Sequence, residues 1–158
     1  MKALQVRVRK VRKGDIDRII DIERSWHHLS HWSIDSYYRL LNDDSFTSSF
    51  VAEVDTDSGR PNIVGFVIFH IAADVSEIYN IAVENGSARS GVGQQLMGAA
   101  IQDSKRRHAT RVVLEVRKSN NPAINFYLKF NFKIVGERKN YYSNPIEDAY
   151  VMELEVSD

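Results

Sequence analysis

The sequence predicts one α/β domain over residues 1–158, built on a sheet of mixed strand direction with helices on both faces. Three observations predict it. Segments of period-two hydrophobicity interleave with segments of helical period along the whole chain. No internal repeat, low-complexity tract or linker divides it, and 158 residues, 43% hydrophobic and 27% charged, suit a single core.

Val6 and Val8 alternate with Arg7 and Arg9 in "QVRVRKVRK", a half-buried strand with a basic outer face, placed at a sheet edge. The basic row through Lys10, Arg12 and Lys13 could be read as an RNA contact; an edge strand blunted by charge against aggregation is the preferred reading. Asp15 stands where it can cap a helix carrying Ile16, Ile19, Ile20 and Glu23, and Ser33 can cap a second through "SIDSYYRLLN". Three β-rich runs follow, "SSFVAEV", "IVGFVIFHIAA" and "SEIYNIAV", with the turn residues of "DTDSGRPN" between the first two, as in an antiparallel meander. Val92, Leu96, Met97, Ala100, Ile101 and Ser104 then form the stripe of a helix docked on a sheet. "RVVLEVR" is a strand. "NNPAINFYLKFNF" is a helix with Asn121 as N-cap, Pro122 at its first position, and Ala123, Phe126, Tyr127 and Phe130 on one side. "KIVGER" and "DAYVMELEV" are the last two strands.

Lys and Arg total 21 and Asp and Glu 21, so the net field offers no general attraction to nucleic acid or an anionic membrane, and any anion site must be local. The charged N-terminal stretch has no apolar run typical of an export signal. The longest apolar segment, residues 63–73, is too short to span a bilayer and is interrupted by His70. A soluble, cytoplasmic protein with no membrane partner and no direct nucleic-acid contact is expected. The chain has no cysteine, which excludes disulfides, thiolate metal sites and a cysteine acyl carrier. An acyl transfer would then run directly between two bound substrates.

The segment "SARSGVGQQL" puts Gly91 and Gly93 before a helix start, where unpaired N–H groups and the helix dipole favour an anion. A phosphate cradle and a structural turn both fit this pattern. A P-loop would need Lys-Ser or Lys-Thr where Gln94 and Gln95 stand. A dinucleotide fingerprint would need Gly or Ala where Leu96 stands, and a tight turn where seven residues separate Val83 from Gly91.

Residues 80–96, 114–142 and 147–154, taken together, resemble the GCN5-related N-acetyltransferase superfamily, and within it the RimI-type ribosomal-protein-alanine N-acetyltransferases. The likeness continues more weakly to "ERSWHHLSHWS". It implies a mixed, mostly antiparallel central sheet flanked by helices. It implies that Arg89, Ser90, Gly91, Val92, Gly93 and Gln94 wrap the pyrophosphate of acetyl-CoA through backbone N–H groups. Ile81, Ala82 and Val83 would pair with the pantetheine arm, and Asn120 would contact the same cosubstrate. Glu115 is implied as general base and Tyr127 as general acid. Leu29, His31 and Trp32 would border the acceptor groove, with Tyr141 and Tyr142 as its opposite wall. Two positions depart from the superfamily pattern: Ala88, where Gln or Arg is usual, and Asn85, where proline is common. Neither removes a backbone donor.

Residue chemistry bears on these roles. Glu115 shares its strand face with Val113, so burial would raise its pKa above about 4.3; a glutamate that pairs with an arginine is the competing reading. Tyr127 is either an acid or a core tyrosine with a satisfied hydroxyl. Deprotonating an α-amine of pKa about 7.8 at pH 7 costs roughly 1.1 kcal/mol, against roughly 4.6 for a lysine. A single carboxylate base therefore suits protein N-termini. His27 and His31 lie four apart, but His28 stands where a metalloprotease has glutamate, and no metal is expected. The expected activity is acetyl transfer from acetyl-CoA to a protein N-terminus, a ribosomal protein's among the candidates, by a monomer or weak homodimer. A small-molecule amine as acceptor, or an acyl-CoA-binding domain without turnover, is the alternative.

Overall fold

A computed structural model of the chain describes residues 5–26, 33–42, 47–87 and 90–156. Among them the order is β1 (Val6–Lys10), α1 (Ile16–Arg24), α2 (Ile34–Asn42), β2 (Thr47–Asp55), β3 (Pro61–Ala72), β4 (Val75–Val83), α3 (Val92–Arg106), β5 (Arg111–Arg117), α4 (Asn121–Lys129), β6 (Lys133–Tyr142) and β7 (Glu147–Glu155). The seven strands form one sheet in the order β1-β2-β3-β4-β5-β7-β6, antiparallel at every junction except β4–β5. No helix among the described residues is long and apolar enough to cross a membrane.

The period-two strands bury both faces. Val67, Phe69, Val112 and Leu114 pack with Leu96, Met97 and Ala100 of α3 and Tyr127 of α4. On the other face Val51, Phe66, Ile68 and Ala82 pack with Ile16, Ile19 and Ile22 of α1 and Tyr37 of α2. The expected three layers result. β1 lies at the sheet edge, where Arg7 pairs with Asp55 and Glu53, and Arg9 with Glu53 and Asp15.

Local details depart from the sequence expectation in three places. Asp15 precedes α1 without capping it: its carboxylate accepts the Arg12 N–H at 2.7 Å and the Arg9 guanidinium, closing the turn before the helix. The cap of α4 is Asn120, not Asn121, because Asn120 Oδ1 accepts the Ala123 N–H at 3.3 Å and Asn121 is already helical. The buried face of α4 is centred on Ile124 and Tyr127, with Ala123, Phe126 and Phe130 half-buried. Ser33 does cap α2, its Oγ accepting the Ser36 N–H at 3.1 Å.

The feature that positions the site is the parting of β4 from β5. They pair only at Val75↔Arg111, Ser76↔Val112 and Glu77↔Val113. Immediately beyond, the β3–β4 register steps from Ile68↔Asn80 to Phe69↔Ile78, which leaves Tyr79 as the extra residue of a bulge. The bulge switches the facing of β4: Ser76 and Ile78 lie toward α3, while Asn80 reaches the Tyr37 hydroxyl and Ala82 packs beside Phe66 on the α1–α2 side.

Gly65 in β3 lets the start of α3 come close. A Cβ there would lie 2.9 Å from Leu96 Cδ1, 3.1 Å from Val92 Cγ1 and 3.1 Å from the Ala82 carbonyl oxygen, which is backbone and cannot rotate away. Gly65→Ala is expected to cost about 1–3 kcal/mol by overpacking, read as a fall of roughly 2–10 °C in Tm by calorimetry.

Candidate active site

Gly91 is the N-cap of α3 and holds φ 87°, a left-handed conformation that a side chain would strain. It brings no capping side chain, so the first-turn N–H groups of Val92, Gly93 and Gln94 have neither a side-chain partner nor an intrahelical acceptor. The Ser90 hydroxyl donates to the Ser87 carbonyl. Arg89 and Ala88 lie outside the described residues, as do Leu29, His31, Trp32 and the other histidines of that segment, His27 and His28.

These groups open into a cleft of about 840 Å³ lined by Ile81, Ala82 and Val83 of β4, Gly91, Gly93 and Gln94 of α3, and α4 from Asn120 to Phe126. The cleft exists because β5 is no longer paired with this part of β4. Along one wall it presents β4 backbone; at one end it presents the positive end of α3. A long ligand with an amide-bearing arm and a phosphate terminus fits that donor set. Gly93 keeps the floor narrow: a Cβ there would stand 3.4 Å from the Phe126 ring. Trp26 also lines the cleft, and its indole N–H donates to the Val83 carbonyl at 2.7 Å, tying the end of α1 to the end of β4.

A second, smaller cavity of about 70 Å³ lies between β4 and β5, lined by Glu115, Arg117, Tyr142 and the facing residues of both strands. Ile81, Asn120 and Tyr127 border both cavities. Tyr127 is 8% exposed, no described residue hydrogen-bonds its hydroxyl, and burial pushes its pKa up to about 12. It remains a neutral donor throughout the physiological range. Glu115 lies on the α1–α2 face, opposite in facing to Leu114 and Val116, and its Oε1 accepts from Arg138 Nε at 3.1 Å. Both features weighed from the sequence, partial burial and an arginine partner, are present together.

β6 contributes Tyr142 to the lining of the small cavity. Tyr142 is half-buried with its ring over the Arg117 guanidinium, 4.4 Å from CZ to centroid, and Tyr141 meets it edge-on at 5.0 Å. Burial, then Tyr141 and the Glu115 charge, push the Tyr142 phenol well above its ordinary value. Arg117, only 7% exposed, donates to the carbonyls of Ser143 and Pro145 and to Glu147, so one guanidinium pins the β6–β7 turn and underlies Tyr142.

Sequence reasoning missed Arg117, Arg138, Trp26 and Glu77. Glu77, on the same face as Glu115, has its carboxyl pushed up by burial and by the Glu115 charge. Its signal was available as the acid in "SEIYNIAV", a run otherwise suited to a buried strand. His70 stands opposite Glu77 on β3, its Nδ1 bonded to the Tyr79 hydroxyl at 2.9 Å.

Arg117→Ala is expected to leave buried acceptors unpaired and to cost about 3–5 kcal/mol, and Arg117→Lys to recover little, because a compact ammonium lacks the planar fork that spans these acceptors and the flat face that lies against Tyr142. Thermal melts of both variants report these effects.

Comparison with known proteins agrees with this geometry. The family model described as Acetyltransferase (GNAT) family matches residues 16–132. A Bacillus subtilis (strain 168) protein named for alanine N-acetylation of ribosomal protein bS18 is 34% identical over 151 residues, 96% of each chain. An N-alpha-acetyltransferase of Sulfurisphaera tokodaii is 34% identical over 166 residues, 96% of this chain and 93% of the other. The crystal structure of the ribosomal-protein-S18-alanine N-acetyltransferase from Escherichia coli superposes with a TM-score of 0.82 at 26% identity, covering 98% of this chain and 96% of that one. With a family match over most of its length and relatives aligned nearly end to end, the chain belongs to the GNAT family of acetyltransferases.

Proposed function

We propose that residues 1–158 form one N-acetyltransferase domain that moves an acetyl group from acetyl-CoA to the α-amine of a protein N-terminus, by direct attack with both substrates bound. The observation that carries this reading is that two cavities meet at Tyr127, a cleft long enough for an extended cosubstrate and a smaller one between β4 and β5 that holds a carboxylate. Relatives named for ribosomal-protein alanine and N-alpha acetylation support an N-terminal acceptor, a ribosomal protein's among them. The balanced charge of the chain gives no general pull toward a membrane or nucleic acid, and the reading takes the enzyme as a cytoplasmic monomer or weak homodimer.

In this reading the N–H groups of Ser90 to Gln94, with Arg89 beside them, hold the pyrophosphate. The free edge of Ile81, Ala82 and Val83 holds the pantetheine arm, and Asn120 contacts it from the start of α4. Leu29, His31, Trp32, Tyr141 and Tyr142 border the acceptor. Glu115 takes one proton from the ammonium, and the amine nitrogen attacks the thioester carbonyl. The tetrahedral adduct gives up its second nitrogen proton to water and collapses with C–S cleavage, leaving a neutral amide and a thiolate. The Tyr127 hydroxyl faces that sulfur. Complete proton transfer from a phenol near 12 to a thiolate whose acid has pKa about 8.5 costs about 5 kcal/mol. Tyr127 therefore acts chiefly by donating a hydrogen bond to the thiolate, which gains its proton from water after release.

The test is an acetyl-CoA assay with peptides beginning in Ala, Ser or Met, alongside small amines. Transfer to a peptide α-amine, located by mass spectrometry, is the expected result. Inert peptides with a reactive small amine would move the acceptor class, and cosubstrate binding without any transfer would leave a sensor domain. Tyr127→Phe is expected to lower kcat about 10²–10⁴-fold while acetyl-CoA Kd stays within about threefold.

The raised pKa of Tyr127 adds a pH signature. The folded protein holds the proton up to about 12 whereas the unfolded chain releases it from about 10, so stability is full below pH 10 and falls between these values. Wild type should lose about 1.4 kcal/mol per pH unit in that window relative to Tyr127→Phe, measured by denaturant melts. No loss of kcat traceable to this phenol should occur below pH 10.

A further inference from the structure

We infer that Trp26 is a positioning residue for the cosubstrate: by holding the Val83 carbonyl it fixes the register in which the pantetheine arm lies along β4, and so the point at which the thioester stops. The inference rests on the N-acetyltransferase reading above and adds to it the device that sets the reach of the acyl group.

The hydrogen-bond alternation of β4 decides which of its groups face the cleft. The Glu84 N–H donates to the Val64 carbonyl at 2.7 Å, and Gly65↔Val83, Phe66↔Ala82 and Val67↔Ile81 are the next pairs of this antiparallel ladder. Successive residues of such a ladder turn their polar groups alternately toward the partner strand and away from it. Ala82 therefore bonds with β3, whereas Ile81 and Val83 direct N–H and C=O into the cleft that they line. One of these groups is already taken. The Val83 carbonyl accepts the Trp26 indole N–H at 2.7 Å.

Trp26 is firmly held where it does this. Its own N–H donates to the Glu23 carbonyl at 3.1 Å, in the turn that ends α1. Arg18 of α1 fastens the same end of the sheet, donating from Nε to the Ile63 carbonyl at 3.0 Å and from Nη2 to Glu84 at 2.6 Å. The indole ring is half-buried and forms part of the cleft wall.

The indole thus withdraws the outward acceptor nearest the start of α3 and fills the space beside it. The arm is left with the Val83 N–H and with the N–H and C=O of Ile81. Pantetheine carries two amides, and an extended chain can pair with a strand edge in registers two residues apart, a slip of about 6.6 Å. Were the Val83 carbonyl open, a register slipped toward α3 would be available, with the thioester short of Tyr127. With that carbonyl occupied, the arm must donate to Ile81, the β4 residue that, like Tyr127, borders both cavities. A slipped arm makes as many hydrogen bonds as an aligned one, so closing that register changes affinity little. It raises the share of bound cosubstrate within reach of the amine, and its loss falls on kcat.

The test compares wild type with Trp26→Phe, which keeps an aromatic wall and removes the donor; thermal melts report the stability of each. The chain has two tryptophans, so the indole N–H resonance missing from the Trp26→Phe spectrum is that of Trp26. In wild type this proton is expected to be protected from exchange with water and to stay protected when coenzyme A saturates the cleft. Loss of protection on adding coenzyme A overturns the inference, since the arm has then claimed the carbonyl. Trp26→Phe is expected to lower kcat about tenfold to a hundredfold, with the Kd of coenzyme A, read by calorimetry, within about threefold. An unchanged kcat overturns the inference, as does a fall no larger than the loss of folded protein. A Kd that weakens as much as kcat falls also overturns it, because the indole then binds the cosubstrate without aligning it. If Trp26→Phe does not fold, Trp26 is identified through its backbone assignment and the exchange measurement on wild type decides. Exchange and Kd need no turnover, and kcat is read with whichever amine is acetylated, so inert peptides sink the N-terminal acceptor alone.

Discussion

Parallel neighbours that share hydrogen bonds for only three residue pairs leave the rest of their facing edges without a strand to complete them, and β4 and β5 are such neighbours. Backbone donors and acceptors at a buried edge must find partners in water, a side chain or a ligand. One is already met by the Trp26 indole at Val83. The others face the cleft, where an extended arm can complete the sheet. The bulge at Tyr79 is what permits this, because it turns β4 between two packing environments. Ile78 anchors the strand to one core, Ala82 to the other, and the stretch between them spans the sheet from side to side.

Electrostatics divides the work between the two sides of that gap. The α4 side is apolar, and Tyr127 is held neutral there by burial alone. The α1–α2 side gathers Glu77, Glu115, Arg138 and the Arg117–Tyr142 pair within one patch of an overall neutral protein. In the proposed reaction the ammonium would meet Glu115 on that side and the departing thiolate would meet the Tyr127 hydroxyl, while the positive end of α3 would hold the pyrophosphate at the other end of the cosubstrate.

The layer architecture was legible because it follows from periodicity: alternating strands and 3.6-residue stripes appear in the order in which the elements form. The turn into α3 was legible because glycine at 91 does a job that few residues can do, holding φ 87° at a helix start. What the sequence concealed lies wherever facing depends on register. Counting by twos along "SEIYNIAV" puts residues 78, 80 and 82 on one side, and the bulge separates them. Glu77 consequently gave no sign that it shares a face with Glu115, since that depends on a three-pair parallel register formed after α3 crosses over. Arg117 looked like the charged end of a strand until the β6–β7 turn folded over it. Asn120 and Asn121 are adjacent and chemically identical, and only the backbone decides which of them caps.

The small chamber between β4 and β5, about 70 Å³ beside a cleft of about 840 Å³, also makes the passage between the two a narrow one. Its walls are strand residues and Tyr142, whose ring lies over the Arg117 guanidinium that pins the β6–β7 turn. In the proposed reaction a bulkier acyl group would have to press on those strands to reach the amine, so the constriction that brings amine and thioester together would also favour a short acyl chain.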